Sequence, residues 1–530
     1  MRSSSSARAA RKVVAPGVVI AMVAGLFASG LTACSVLIDR GAKQCASDAD
    51  CQRLQPGSST TCDLARGVCV ALPTVGVDGC IPPGPGVTSE QLPNVCTPAA
   101  CVPFNNAAHG LDDGDQSALI PPTGPTPTSA PDAGTTNADA GTVQSPPPCY
   151  SPGAGRDSVI YITGSSNFPP LLAKLGPFII NKTGYTPVYQ ITSSCNGVKS
   201  VFSAVARDRL IADPAAGSRT ARATFVTPEG NLEACTLPPG GVTVDIGESD
   251  IYSTSCMDSG PQPGDVGEYF GPIQAMIFAV PYGSHQDVIS AEMARTVFGK
   301  GGDGGKGAPW TDFHGYFVRN ANTGTQQMIG RAIHVPADQF WGTDYGTASY
   351  LAGQMKLVTM EKAEQSIGII SSDYYSPAMG SFRELAFQGF GQLCGFWPDS
   401  SQYVGDKRNV RDGHYPIWGP LHFFTRTDPT GIPISAAAAA FVSVVTAPEP
   451  GVGLLNAYID ASLVPSCAMR VQRSKDLGDL TPYMPPGDCG CYFETRVGGG
   501  VAPPGCTPCT TAVECAAPKP ACNLGFCEAS

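Results

Sequence analysis

The sequence predicts an α/β protein whose core forms two lobes and whose two ends are small segments held together by disulfides. Three observations point there. From residue 157 to about 488, apolar strands alternate with glycine- or serine-rich turns and amphipathic helices, the texture of α/β units. At either end cysteines are dense and apolar residues too few for an independent core, so covalent links must supply the stability. The chain has 530 residues, against about 100 to 200 for a usual domain, which leaves room for two lobes plus appendages.

The chain opens with a basic head, Arg2, Arg8, Arg11 and Lys12, followed by an apolar stretch over 13–31, the layout of a secretory signal. A stretch of this length also suits an uncleaved membrane anchor. Leu31-Thr32-Ala33-Cys34 resembles the bacterial lipobox. That resemblance implies a signal peptide over 1–33, with Cys34 as lipidation site and first mature residue. The acyl chains would hold the protein to a membrane, at about 0.8 kcal/mol for each buried methylene. Ser35 in place of Asp leans toward the outer membrane by analogy with lipoprotein sorting, with the leaflet left open.

Residues 34–101 then read as a lipidated cysteine-rich module and 102–156 as a linker. From 67 to 155 there is no Lys or Arg, and 121–148 is mostly Pro, Thr, Ala, Gly and Asp, a composition that cannot bury enough surface to fold. Setting Cys34 aside leaves twenty of the 21 cysteines, an even number that fits an oxidising, extracytoplasmic compartment. Cys45, Cys51, Cys62 and Cys69 form a first cluster. Cys509, Cys515, Cys522 and Cys527 echo it in the cysteine-rich tail, 489–530. In both clusters an acidic residue, Asp50 or Glu514, precedes the second cysteine, and Leu stands two residues after the third, which marks a degenerate repeat. Cys489-x-Cys491 and Cys506-x2-Cys509 read as disulfide cysteines, since zinc would need a second paired set of reduced thiolates.

Within the core, 158–163 reads as a buried strand, followed by a helix with Leu171, Leu172, Leu175, Phe178 and Ile179 on one side. A second strand spans 186–192, and its helix carries Val198, Val201, Phe202 and Val205 inward. Strands at 242–246, 275–280 and 313–318 and helices at 290–298 and 325–333 continue the alternation. Ligands of open α/β sheets bind at the carboxyl ends of strands. Three such turns, 164–167, 193–197 and 322–325, are rich in Ser, Thr, Asn and Gly, and each opens a helix, where free N–H groups favour an anion. Singly, these residues are also ordinary helix caps.

Taken in order, these segments resemble the periplasmic phosphate-binding proteins of ABC transporters. GSSNFPPLL (164–172) and YQITSSCNGVKSV (189–201) are similar to that family's two phosphate loops, and DIGESD (245–250) to the strand end carrying its buried Asp. RNANTGT (319–325) is similar to its Arg-x3-Ser-Gly-Thr, while SIGIISSDYY (366–375) and GHYPIWGPLHFF (413–424) resemble later strands. The resemblance covers nearly all of the core and none of the cysteine-rich ends. It implies a two-lobed type 2 periplasmic-binding-protein fold with a hinge over 157–488. Lobe I would take about 157–270 and 375–488, and lobe II about 271–374.

The resemblance also implies a set of anion-binding residues. Arg319 would pair with the oxyanion, a geometry that guanidinium suits. Thr323, Gly324 and Thr325 would donate from one lobe, and Ser166, Asn167, Ser194 and Cys195 from the other. Asp250, which can only accept when ionised, would favour hydrogen phosphate, which brings a proton, over sulfate, which brings none. The sequence departs from the family where Asn167 stands for Thr, where Cys195 and Asn196 stand for Ser and Gly, and where Ala321 stands for an acidic residue. A Cys195 tied in a disulfide would donate only from its backbone.

A net charge of −11 with no basic cluster beyond the first twelve residues argues against nucleic acid as a partner. The six histidines form no His-Glu-x-x-His, no Gly-x-Ser-x-Gly elbow occurs, and no nucleophile has an adjacent base. The expectation is therefore a protein with no catalytic residues, cofactor or metal. It would be lipid-anchored and exported, capturing phosphate or a related oxyanion between two lobes, with an ABC permease as partner. The alternative is a cell-surface interaction or scaffold lipoprotein with a degenerate anion site.

Overall fold

The computed structural model describes residues 79–111 and 145–530 except 85–86, 154, 216–220, 257–259, 303–305, 375–381, 403 and 448–449, and also short strands at Thr60–Asp63, Val68–Ala71 and Thr128–Ser129. The signal, the lipobox with Cys34, and Cys45 and Cys51 lie outside the described residues.

The first half of the core is built as the apolar periodicity dictates. Strand β1 (Val159–Gly164) buries Ile160 and Ile162, and helix α1 (Phe168–Thr183) buries Leu171, Leu172, Leu175 and Ile179 at helical spacing. The helix stops at Gly184, whose φ of 74° is the left-handed conformation that glycine adopts without strain. β2 (Thr186–Ile191) runs parallel to β1, and α2 (Ser194–Phe202) follows it. Val205, expected inward on α2, lies beyond the helix end and is 48% exposed. β3 (Thr224–Val226) and β4 (Leu232–Ala234) close one edge antiparallel. The strand expected over 242–246 divides: Val242–Thr243 pairs outside the sheet with Leu210–Ile211, and β5 (Ile246–Ser249) enters the sheet parallel to β1.

β6 (Val266–Pro281) is much longer than the 275–280 expected, because it serves both halves of the molecule. Residues 266–275 pair with one antiparallel strand, and 276–279 pair with another. The second half carries α3 (Ala291–Lys300), β7 (Tyr316–Val318), α4 (Gly324–Ala332), β8 (Thr343–Asp344), α5 (Ala348–Lys356) and β9 (Ile367–Ser371). β7 pairs parallel with both β8 and β9. The chain does not return to the first half near 375. β10 (Phe382–Glu384) still pairs with the end of β6, and Ala386–Gln388 pairs with Val288–Ser290. Only β11 (Trp418–Arg426) completes the first half, lying between β5 and β6. Helices α6 (Ala436–Val445) and α7 (Val452–Asp460) then cover α1 and β1, burying Phe441, Leu454 and Tyr458 with Phe168 and Leu175. The product is a mixed α/β protein: one twelve-stranded sheet whose path changes halves at β6.

The segments expected to be separate from the core are fastened to it. Cys101 pairs with Cys394 and Cys149 with Cys235, while Cys101–Val102 forms a strand against Gly395–Phe396. The boundary expected at 101 therefore falls inside a strand, and the residues after 145 belong to the core. Even the Pro-rich tract contributes Thr128–Ser129 beside β8, a pairing that needs only backbone hydrogen bonds. Cys80–Cys96, Cys467–Cys489, Cys491–Cys506, Cys509–Cys522 and Cys515–Cys527 staple the two ends. The repeat has a structural counterpart: Cys62 opposes Cys69 across one hairpin as Cys522 opposes Cys527 across the other. Among the described residues no helix is long and apolar enough to cross a membrane.

Candidate anion site

All three Ser/Thr/Asn-rich turns meet at one buried carboxylate. Asp250 sits just past the end of β5, with no exposed surface. Its Oδ2 accepts from Ser165 Oγ at 2.5 Å, Asn167 Nδ2 at 2.9 Å and Ser194 Oγ at 3.2 Å. Ser194 Oγ in turn accepts from the Gly324 N–H at 3.0 Å, and Asn167 Nδ2 also donates to Thr325 Oγ1 at 3.0 Å. The loop after β1, the start of α2 and the start of α4 are thereby tied together across the two halves. Glycine permits the approach. A Cβ on Gly324 would lie 2.6 Å from Ser194 Oγ, and one on Gly197 would lie 2.2 Å from the Glu248 carbonyl, which seats α2 on β5.

Arg319 organises the other side. It is 2% exposed, and its Nη2 donates to Ser166 Oγ at 2.8 Å while Nε donates to the Gly346 carbonyl at 2.7 Å. Ser166 Oγ also accepts from the Ala348 N–H at 3.1 Å, at the start of α5, and Tyr374 Oη donates to the Ser166 carbonyl at 2.7 Å. Because Ser166 stands between Ser165 and Asn167, the guanidinium and the carboxylate address the same short loop.

Of the residues singled out in the sequence, Ser166, Asn167, Ser194, Asp250, Arg319, Gly324 and Thr325 come together. Cys195 is bonded to Cys256, so it has no thiol to offer, and its N–H donates to the Asn322 carbonyl at 3.1 Å. The Thr323 hydroxyl donates back to the Asn320 carbonyl at 2.8 Å, within its own turn. Sequence reading passed over Ser165, Glu248, Tyr189 and Tyr374. Glu248 Oε2 accepts from the Ser165 N–H at 2.8 Å and from Tyr189 Oη at 3.0 Å, which fixes the first loop from below. Ser165 and Glu248 lie inside motifs already recognised, GSSN and DIGESD. Tyr189 and Tyr374 also fall inside quoted segments, YQITSSCNGVKSV and SIGIISSDYY, but only the packing of β2 and of the turn after β9 brings their hydroxyls to the first loop.

Burial pushes the Asp250 carboxyl above its ordinary pKa, against hydrogen bonds from Ser165 and Ser194 and the charge of Arg319. Glu248 is pushed well up by burial and by the nearby Asp250. Burial lowers Arg319, opposed by Tyr374, Asp344 and Asp250. Four buried polar atoms of the site have no hydrogen-bond partner in the protein: Arg319 Nη1, Asp250 Oδ1, Asn167 Oδ1 and Glu248 Oε1. The cluster thus offers a guanidinium N–H to an oxygen lone pair and a carboxylate oxygen to a hydroxyl proton.

Neither a family model nor a curated protein matches the chain. Among solved structures it resembles phosphate ABC transporter substrate-binding proteins. An ABC-type phosphate transport receptor from Vibrio cholerae is 11% identical, with a TM-score of 0.37 over 57% of this chain and 99% of that one. The periplasmic phosphate-binding protein PfluDING, solved with phosphate, is 14% identical, with a TM-score of 0.38 over 65% of this chain and 99% of that one. PstS from Borrelia burgdorferi is 12% identical, with a TM-score of 0.32 over 58% and 98%.

Proposed function

We propose that the chain is an extracytoplasmic solute-binding protein that captures hydrogen phosphate, or a closely related oxyanion, between its two halves by hydrogen bonds alone. One observation carries this reading: Arg319 Nη1 and Asp250 Oδ1, a donor and an acceptor without protein partners, are buried on either side of the loop 165–167. A fully deprotonated tetrahedral anion satisfies only the first, and a neutral ligand forgoes the charge of the guanidinium. Eight disulfides among the described residues suit an oxidising compartment. Closure of the two halves would sequester the anion and present it to an ABC permease, and Cys34 would anchor the protein by its lipid. The scaffold reading is favoured by the Cys195 N–H and the Thr323 hydroxyl, which are spent within the protein.

Titration calorimetry separates the two. Phosphate should bind and sulfate should not, and Arg319→Met should weaken phosphate by about tenfold to a hundredfold, given about 1.5 to 3 kcal/mol for a hydrogen bond to a charged group. Asp250→Asn should narrow the preference over sulfate. A folded protein silent toward phosphate supports the scaffold. For the anchor, Cys34→Ala should abolish incorporation of labelled palmitate in cells; incorporation that persists removes the lipidation assignment.

A further inference from the structure

We propose that the Cys491–Cys506 bond in the cysteine-rich tail is a thiol–disulfide exchange site, at which a small thiolate attacks Cys506 and Cys491 departs as the leaving group. Nothing in this site depends on the anion reading. Cys491 is buried in the first turn of the helix Gly490–Val497 and is bonded to Cys506. Lys519 Nζ lies 3.5 Å from Cys491 Sγ and donates to the Gly505 carbonyl at 3.1 Å. One ammonium therefore stands against the buried sulfur and also holds the residue before its partner. Cys506 is half-buried between exposed Gly505 and Thr507, in a turn closed by its own N–H, which donates to the Pro503 carbonyl at 3.1 Å. Such a sulfur is open to a small thiol.

Glu528 is the carboxylate packed against this place. Its Oε1 accepts from the Cys491 N–H at 2.5 Å, and its Oε2 lies 3.7 Å from Lys519 Nζ. Burial pushes this carboxyl above its ordinary pKa, with the Cys491 N–H opposing. The ammonium is thus closer to the sulfur than to the carboxylate, and a carboxyl that holds its proton leaves the charge of Lys519 to the sulfur.

Exchange needs an accessible sulfur for attack and a stabilised thiolate as leaving group. Here the two requirements fall on different cysteines. A thiolate attacking Cys506 Sγ forms a new S–S bond there and breaks the bond to Cys491, whose Sγ departs with the electron pair beside the Lys519 ammonium and the free N–H groups of the helix start. One thiolate enters and one is released, so no further oxidant or reductant is consumed. The product is a mixed disulfide on Cys506, which the Cys491 thiolate can reverse. Meanwhile Cys467–Cys489 and Cys509–Cys522 keep both sides of the opened bond fastened. In Cys467–Cys489 both cysteines are buried, which makes that pair the internal control.

The test incubates the full chain with reduced glutathione, quenches with acid, alkylates, and assigns each cysteine by peptide mass spectrometry. Glutathione is expected on Cys506 and the alkyl group on Cys491, before Cys467 or Cys489 is modified. Lys519→Met should slow this opening by about tenfold, through loss of leaving-group stabilisation, and Lys519→Arg should restore it. Glutathione on Cys491 instead of Cys506, Cys467–Cys489 opening as fast in the wild type, or an unchanged rate in Lys519→Met overturns the proposal. Should Lys519→Met loosen the tail, Cys467–Cys489 would open faster as well, and the position of glutathione on the wild type then decides.

Discussion

At the scale of single residues, the molecule buries more acid than base, and each buried acid has a consequence that can be measured. Glu384 is the sharpest case outside the anion site. It is fully buried, neither carboxyl oxygen has a hydrogen-bond partner, and its pKa is pushed up to about 8 by burial and by Asp399, with Lys407 opposing. From the ordinary value of 4.5 up to about 8, the folded protein holds a proton that the unfolded chain releases. Stability therefore falls as pH rises through that window, by at most about 1.4 kcal/mol per unit from this group. Glu384→Gln should remove this part of the slope, so that its advantage over wild type in urea unfolding is larger at pH 8 than at pH 5. Parallel pH profiles for the two proteins would show that the neighbouring Lys407 compensates the charge fully.

At the scale of elements, the site is made by three helix starts and the strand ends before them, and the separations between these are set by small residues. Gly324→Ala would place a methyl 2.6 Å from Ser194 Oγ and 2.7 Å from Asp250 Cβ. The helix start must then retreat from the carboxylate. The expected result is a loss of stability of about 1 to 3 kcal/mol together with at least a tenfold weaker response to phosphate, read by thermal unfolding and calorimetry on the same sample. The three turns were legible in the sequence because Ser, Asn, Gly and Thr clustered after apolar runs. Their satisfied hydrogen bonds were not. Whether Thr323 donates outward or into its own turn depends on a rotamer, and Cys195 depended on a partner 61 residues away.

At the scale of the whole molecule, covalent links join segments that composition alone set apart. Cys149–Cys235 closes a span of 86 residues and Cys101–Cys394 one of 293, so both flanks of the Pro-rich tract are bound to the core. Replacing Cys149 and Cys235 together by Ser should lower unfolding free energy by about 2 to 5 kcal/mol, followed in denaturant, with phosphate binding retained because neither residue touches the site. Loss of binding at full folding would show that this staple also positions β2 and β3. The division of the core had a similar fate: the resemblance implied two lobes, but the return expected near 375 is delayed because β10 and the residues after it still pair with β6 and Val288–Ser290.

The amino-acid order by itself determined the alternation of elements and the three polar turns, which follow from local periodicity and residue chemistry, while the acid at the end of β5 and the arginine at the end of β7 were marked as site residues by the resemblance to phosphate-binding proteins. Which carboxylates share the site, which donors are already spent, which cysteines pair and where β6 passes from one half to the other were decided only by tertiary structure. The physical reason is the same throughout. These features depend on side chains and strands distant in sequence but separated by a few ångströms in space, and burial gives those short distances their electrostatic weight.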